Sequence, residues 1–152
     1  VVLRPGCYLT HDIGAYREAA ARMSASNTVV QRLGDGLRPA LKIWAYVQSR
    51  PEAELAIIGL GKRDAAFDAG LPAPALCYRP GSQQPEAAPA AWTLTKIMDQ
   101  HAYMKVPADA DVRVGDMIAF DISHPCLTWD KWRQVAIVDR TYTVTGLVQT
   151  YF

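Results

Sequence analysis

The segment Ile122-Ser123-His124-Pro125-Cys126-Leu127-Thr128-Trp129-Asp130-Lys131-Trp132 holds the side chains best suited to chemistry. In an extended backbone residues two apart point to one face, so His124 and Cys126 are expected to project together. Pro125 fixes its own φ and biases His124 toward an extended conformation. Imidazole and thiolate are both good zinc ligands, at roughly 2.0–2.1 Å and 2.3 Å. Two ligands do not close a structural zinc site, which normally takes four. His11, His101, Cys7 and Cys77 could supply more donors, but none stands at a zinc-finger-like spacing. An incomplete set suits catalysis, because open positions admit water or substrate. Spacing alone is a weak signal: an isolated His-x-Cys is more often a buried thiol beside a hydrogen-bonded imidazole at a strand end.

Other polar residues offer less. His11 and Asp12 stand at a turn before a helix, where capping is favoured over an active-site role. Lys62-Arg63-Asp64 follows Gly61 in an expected loop, and a solvated charged turn is one reading of it. His101 follows Gln100 near a strand start, where a satisfied structural histidine is nearly as good a reading as a site residue. Asp130 and Lys131 either fix the loop behind the two ligands or form a surface ion pair worth ~0–1 kcal/mol. Trp44, Trp92, Trp129 and Trp132 read as core and interface filler rather than a binding box.

The elements that must carry these residues are mostly strands. Leu41, Ile43, Ala45 and Val47 alternate with Lys42, Trp44, Tyr46 and Gln48, a period of two. Further strands are expected at 54–60, 92–98, 102–106, 116–122 (after the Gly115-Asp116 turn), 133–138 and 142–151, with Val1–Leu9 as an entering strand or loop. The one expected helix covers Ile13–Met23, capped by Thr10 or Asp12, with Tyr16, Ala19, Ala20 and Met23 as its apolar face. The segment 71–91 carries Pro72, Pro74, Pro80, Pro85 and Pro89 and reads as a loop or excursion within one domain. The sequence thus predicts a mainly β, barrel-like domain of about eight strands with one helix, spanning residues 1–152.

Composition narrows the function classes. The 152 residues suffice to bury a core, and the formal charge is +1, from 16 Lys plus Arg against 15 Asp plus Glu. Basic residues are scattered, a poor footprint for nucleic-acid binding. No apolar run is long enough for a membrane span, and no signal peptide is visible. Three widely spaced cysteines argue against a disulfide framework and for a reducing, cytoplasmic home. With no initiator Met, the chain reads as a domain cut from a longer one.

Several ordered blocks resemble the C-terminal domain of the D-serine dehydratase family, closest to its bacterial amino-acid deaminase branch. They are Arg4-Pro5-Gly6-Cys7-Tyr8 with Thr10-His11-Asp12, then Gly59-Leu60-Gly61-Lys62-Arg63-Asp64 with Asp68. Asp99-Gln100-His101 follows, then Gly115-Asp116. The last is Ser123-His124-Pro125-Cys126 with Thr128, Asp130-Lys131-Trp132 and the end Thr150-Tyr151-Phe152; Trp129 stands where Phe is more usual. The resemblance implies an alanine-racemase-like C-terminal β domain packed on an N-terminal (β/α)8 barrel that binds pyridoxal phosphate (PLP). That barrel, absent from this chain, would supply the Schiff-base lysine, so none of Lys42, Lys62, Lys96, Lys105 and Lys131 is a candidate and the fragment alone is expected to be inactive.

The resemblance further implies zinc held by His124 and Cys126, and a homodimer. It places His11, Asp12, Lys62, Arg63, Asp68 and His101 as active-site rim or interface residues. D-threonine aldolases of this family carry Asp where Cys126 stands and use a harder metal. A thiolate favours zinc by softness, which tilts the reading toward a dehydratase. The implied reaction is β-elimination from a small D-amino acid such as D-serine, giving a 2-oxo acid and ammonia. PLP would act as the electron sink and zinc as the Lewis acid at the β-hydroxyl. Hydroxide is a poor leaving group, its conjugate acid having a pKa of ~15.7 against ~7–9 for metal-bound water. The difference is worth up to ~10 kcal/mol at ~1.36 kcal/mol per pKa unit, part of it realised in the transition state. An aldolase-like retro-aldol activity and a purely structural dimerisation domain are the alternatives.

Overall fold

The computed structural model describes residues 2, 7, 9–32, 34 and 36–151. Most of the expected Val1–Leu9 strand, including the Arg4-Pro5-Gly6 and Tyr8 part of the family block, lies outside the described residues, as does Phe152. The described chain is mainly β. Its elements are α1 (Ala15–Ser26), α2 (Thr28–Arg32), β1 (Lys42–Glu52), β2 (Leu55–Ile58), β3 (Ala73–Tyr78), β4 (Glu86–Ala87), β5 (Thr93–Ile97), β6 (Ala102–Lys105), β7 (Met117–Asp121), α3 (Pro125–Trp129), β8 (Gln134–Val138) and β9 (Val144–Gln149).

Seven strands form one sheet in the order β4-β3-β7-β1-β2-β6-β5, with every neighbouring pair antiparallel. β3, second from one end of that order, approaches β5 at the other end, so the sheet curls toward a barrel. The concave face holds the core: Val47, Ile58, Leu60, Met104, Val106, Ile118, Phe120 and Ile122 are each almost fully buried. A side chain of this kind contributes about 1.5–3 kcal/mol on burial. The alternation along β1 is as expected, with Leu41, Ile43, Ala45 and Val47 inside and their neighbours outside or half-buried. β8 and β9 form a separate hairpin. Between that hairpin and β1 lies a cavity of about 540 Å³ lined by Trp44, Trp129, Trp132, Val135 and Tyr142.

Three expectations are corrected. First, 71–91 is not a plain excursion, since β3 and β4 lie within it and β3 pairs with β7. β4 is only two residues long and pairs with Leu76 and Cys77, so Pro74 lies beyond it, next to a bulge in the β3–β7 pairing. Second, the described residues hold three helices rather than one. Third, the apolar face read for α1 is not buried: Tyr16 and Met23 are about half exposed (51% and 52%). Asp12 does support that helix, its Oδ1 accepting from Gly14 N (2.8 Å) and Tyr16 N (3.3 Å). No helix among the described residues is long and apolar enough to cross a membrane.

Two polar clamps tie the chain before β7 to the sheet. The Arg50 guanidinium donates to the carbonyls of Ala53 (2.6 Å), Ala108 (3.2 Å), Ala110 (2.6 Å) and Val112 (2.9 Å). Arg79 forks onto the buried Asp116 at 2.9 and 3.0 Å, and Asp116 also accepts from Arg113 N at 2.9 Å. β7 then delivers the chain to Ser123 and His124.

Candidate functional site

Extended backbone at His124 (φ −137°, ψ 90°) continues from β7, but Pro125 opens α3. Proline suits a first helical position, where its missing N–H has no intrahelical partner to lose. Cys126 is therefore helical, which corrects the expectation of an extended His-Pro-Cys with both side chains on one strand face. The two donors sit instead at the cap and second residue of one short helix. Cys126 is exposed and His124 partly so.

The His124 ring does not float. Its Nδ1 lies 2.8 and 3.1 Å from the two oxygens of Asp68. The hydrogen bond from His124 holds the Asp68 carboxyl below the usual carboxylate range. An ionised carboxylate only accepts, so Nδ1 carries the proton and donates. Nε2 is then the nitrogen with a lone pair to offer a ligand.

Behind the ring, the 61–70 segment is fastened to α3 and its approach. Ala66 N donates to Thr128 Oγ1 (3.1 Å), and that hydroxyl donates to His124 O (3.1 Å). Trp132 Nε1 donates to Asp64 O (2.7 Å), and Ser123 Oγ donates to Gly70 O (2.6 Å). Thr128, Ala65 and Ala66 are buried. Of these partners, the family resemblance places Asp68 at the active-site rim or interface, and the sequence reads Trp132 as core and interface filler. Thr128, a buried polar residue inside the chemical segment, was the available signal.

The remaining expected site residues fall into two neighbourhoods. His11 and Asp12 are buried, His11 with a positive φ of 49°. Their turn abuts the strand end: Ile13 N donates to Ile122 O (3.2 Å), and a Cβ on Gly14 would lie 2.7 Å from Ser123 O. Cys7 sits in the same place, its thiol pushed up to about 11 by burial and then by the nearby Cys126 and Asp12. So Asp12 and Cys7 join the Cys126 side of the site. Lys62, Arg63 and His101 form the other neighbourhood. Lys62 N donates to Met98 O (2.8 Å) and Arg63 N to Asp99 O (3.2 Å), which packs their turn on the 98–101 loop. Lys62 Nζ stands 5.4 Å from the Phe67 ring centre, and His101 lies 5.5 Å from the Tyr103 ring. These two residues are directed to aromatic neighbours, and the Asp64–Asp68 stretch links their group to His124.

No group of three or more His, Cys, Asp or Glu among the described residues is placed to hold a metal by itself. Imidazole Nε2 and the Cys126 thiolate nevertheless make a fitting pair for zinc, a borderline-soft ion. Both donors are accessible, and a two-donor set leaves positions for water or substrate. Of the lysines, Lys42 is ion-paired with Asp121, Lys62 lies over Phe67, and Lys96 lies over the Tyr103 ring at 5.6 Å.

Comparisons with known proteins agree with this architecture. No curated protein matches the chain in sequence. In fold it is similar to the crystal structure of D-threonine aldolase from Filomicrobium marinum, with a TM-score of 0.72 and 22% identity over 95% of this chain and 34% of that one. It is also similar to D-threo-3-hydroxyaspartate dehydratase from Delftia sp. HT23, with a TM-score of 0.58 and 16% identity over 82% of this chain and 36% of that one. A metal-free cysteine-to-alanine mutant of a D-threo-3-hydroxyaspartate dehydratase matches comparably, with a TM-score of 0.59. This chain thus spans about a third of the length of these solved structures. At such identities they establish the fold alone. The family model described as "Putative serine dehydratase domain" matches residues 40–138, well over half of the sequence and most of the curled sheet with α3. The chain belongs to the serine dehydratase domain family.

Proposed function

We propose that this chain is the C-terminal, metal-binding domain of a PLP- and zinc-dependent D-amino acid dehydratase that converts D-serine to pyruvate and ammonia. The observation that carries this reading is the pairing of His124 and Cys126 at the start of α3, with Nδ1 taken by Asp68 and Nε2 left for a metal. Zinc, held by these two donors, would supply Lewis acidity toward a substrate hydroxyl. PLP, held by an N-terminal barrel of the full-length protein, would supply the electron sink. The engagement of Lys42, Lys62 and Lys96 with Asp121, Phe67 and Tyr103 supports a Schiff-base lysine outside this domain.

In this reading Cys126 selects zinc, His124 and Cys126 leave coordination positions for substrate, and the turn at His11-Asp12 shields the thiolate side. The exposed apolar side chains Tyr16 and Met23 on α1, and Val144 and Leu147 on β9, support docking against the barrel and a second subunit. The test is 2-oxo acid release from D-serine by the full-length protein with PLP. Activity should vanish on zinc chelation and return with zinc. Activity indifferent to the chelator would leave the domain a structural partner.

Retro-aldol cleavage of D-threonine is the second reading; a D-threonine aldolase shares the fold. Cys126 opposes it, because a harder metal would prefer a carboxylate at that position. Parallel assays with D-serine and D-threonine separate the two.

A further inference from the structure

The contact between Asp68 and His124 joins residues 56 positions apart, through a polar bond at the protein surface. The Asp68 side chain is 47% exposed, so packing does not account for its placement. Its backbone, by contrast, is fixed on both sides. Two residues before it, Ala66 N is bonded to Thr128 Oγ1, four residues after His124; two residues after it, Gly70 O accepts from Ser123 Oγ, the residue just before His124. Lys62 stacked on Phe67 and Trp132 bonded to Asp64 O brace the same stretch. The carboxylate is thus held at one edge of the imidazole by bonds to the residues that flank that imidazole.

We propose that Asp68 is the positioning residue of the metal centre: its carboxylate fixes His124 as the Nδ1–H tautomer and sets the ring plane, so that Nε2 meets the metal in one orientation. The inference rests on the metal-binding reading of His124 and goes beyond it, because two donors on a short helix would otherwise leave the ring free to rotate about χ2. A carboxylate behind a metal-bound imidazole also raises the basicity of the ligating nitrogen. Such partners are typically worth roughly 10–100-fold in metal affinity.

The experiment uses the full-length protein with Asp68→Ala, Asp68→Asn and His124→Ala. Zinc affinity is measured by competition with a chromophoric chelator. The tautomer of His124 is read from ¹⁵N shifts of the metal-free, ¹⁵N-histidine-labelled protein, its signals assigned by their loss in His124→Ala. The wild type should show the Nδ1–H tautomer. Asp68→Ala should lose that preference and bind zinc roughly 10–100-fold more weakly at an unchanged unfolding midpoint. Asp68→Asn, whose amide oxygen can still accept from Nδ1, should recover part of the loss. An Nε2–H tautomer in the wild type overturns the proposal, as does a zinc affinity in Asp68→Ala within about twofold of wild type when His124→Ala abolishes binding. If His124→Ala itself leaves zinc affinity intact, the metal-binding reading fails instead. The tautomer measurement still decides whether Asp68 orients the ring.

Discussion

Replacing Thr128 by Val should loosen the site from behind. Valine matches threonine in shape and fills the same space, but it removes a hydroxyl that is 1% exposed and holds two bonds. The two losses differ. His124 O keeps a partner, since Thr128 N still donates to it at 3.3 Å, so losing the hydroxyl there costs about 0.5–1.5 kcal/mol. Ala66 is fully buried and its N–H has Thr128 Oγ1 as its partner. Left unmatched, that donor costs about 1–3 kcal/mol. The sum is about 1.5–4.5 kcal/mol, large for a change of one hydroxyl to one methyl. Thr128→Ser keeps the hydroxyl and should lose only the methyl contribution, about 1 kcal/mol. Urea unfolding of the full-length protein gives the global cost, and hydrogen exchange at the Ala66 amide gives the local one. Valine should lower that amide's protection at least about fivefold, because the unmatched donor costs at least about 1 kcal/mol and tenfold corresponds to ~1.4 kcal/mol. Stability within about 0.5 kcal/mol of wild type, with Ala66 protection unchanged, would refute the assignment of Thr128 as the tie between the 61–70 segment and α3.

Three other perturbations follow from the same geometry. Gly61→Ala would place a Cβ 2.1 Å from Asp99 O, so the 61–63 and 98–101 loops must part. A loss of about 1–3 kcal/mol is expected as a lower thermal midpoint, and an unchanged midpoint would show that the loops give way freely. Cys126→Asp should move metal preference from zinc toward manganese, read from competitive loading and metal content; undiminished zinc preference would remove Cys126 from the ligand set. Burial alone would raise the Asp116 carboxyl, but the Arg79 fork and the Arg113 amide outweigh it and hold the group below the usual range. Its folded-state pKa lies below the unfolded ~3.9, so its contribution is fully present above that value and is lost as pH falls through the folded one. Asp116→Asn should therefore destabilise the protein at about pH 6 more than at about pH 2–3, and an equal loss at both, by urea midpoints, would contradict the ion-pair account.

Much of the sheet was legible because several of its strands bury one face. The period of two at Leu41–Gln48 translates directly into the burial pattern of β1, and the runs at 54–60, 92–98, 102–106 and 116–122 hold β2, β5, β6 and β7; those at 133–138 and 142–151 hold the separate and mostly exposed β8–β9 hairpin. β3 was hidden by its prolines, whose cost depends on which neighbours a strand has. Pro74 has β7 on one side and no β4 residue on the other, since β4 reaches only Leu76 and Cys77, a fact of pairing that no local pattern carries. The α1 face misled for the opposite reason. Tyr16 and Met23 are spaced for burial, but a helical period says only that a face is apolar, not what covers it.

The site shows the same division between local and distant information. His124 and Cys126 were found because their types and nearness are printed in one tripeptide. The error about their geometry was also local: Pro125 does keep His124 extended, yet a proline is equally at home as the first residue of a helix, and α3 begins there. Asp68 could not be singled out in this way. It is one of many acidic residues, and what distinguishes it is a set of bonds from Thr128, Ser123 and Trp132 to the segment around it. Two of those residues, Ser123 and Thr128, are buried polar groups next to His124, and a buried hydroxyl must find a partner. Once the fold buries them, that requirement bonds a second segment against the ligand-bearing helix. The fold then determines that this segment is the one carrying Asp68.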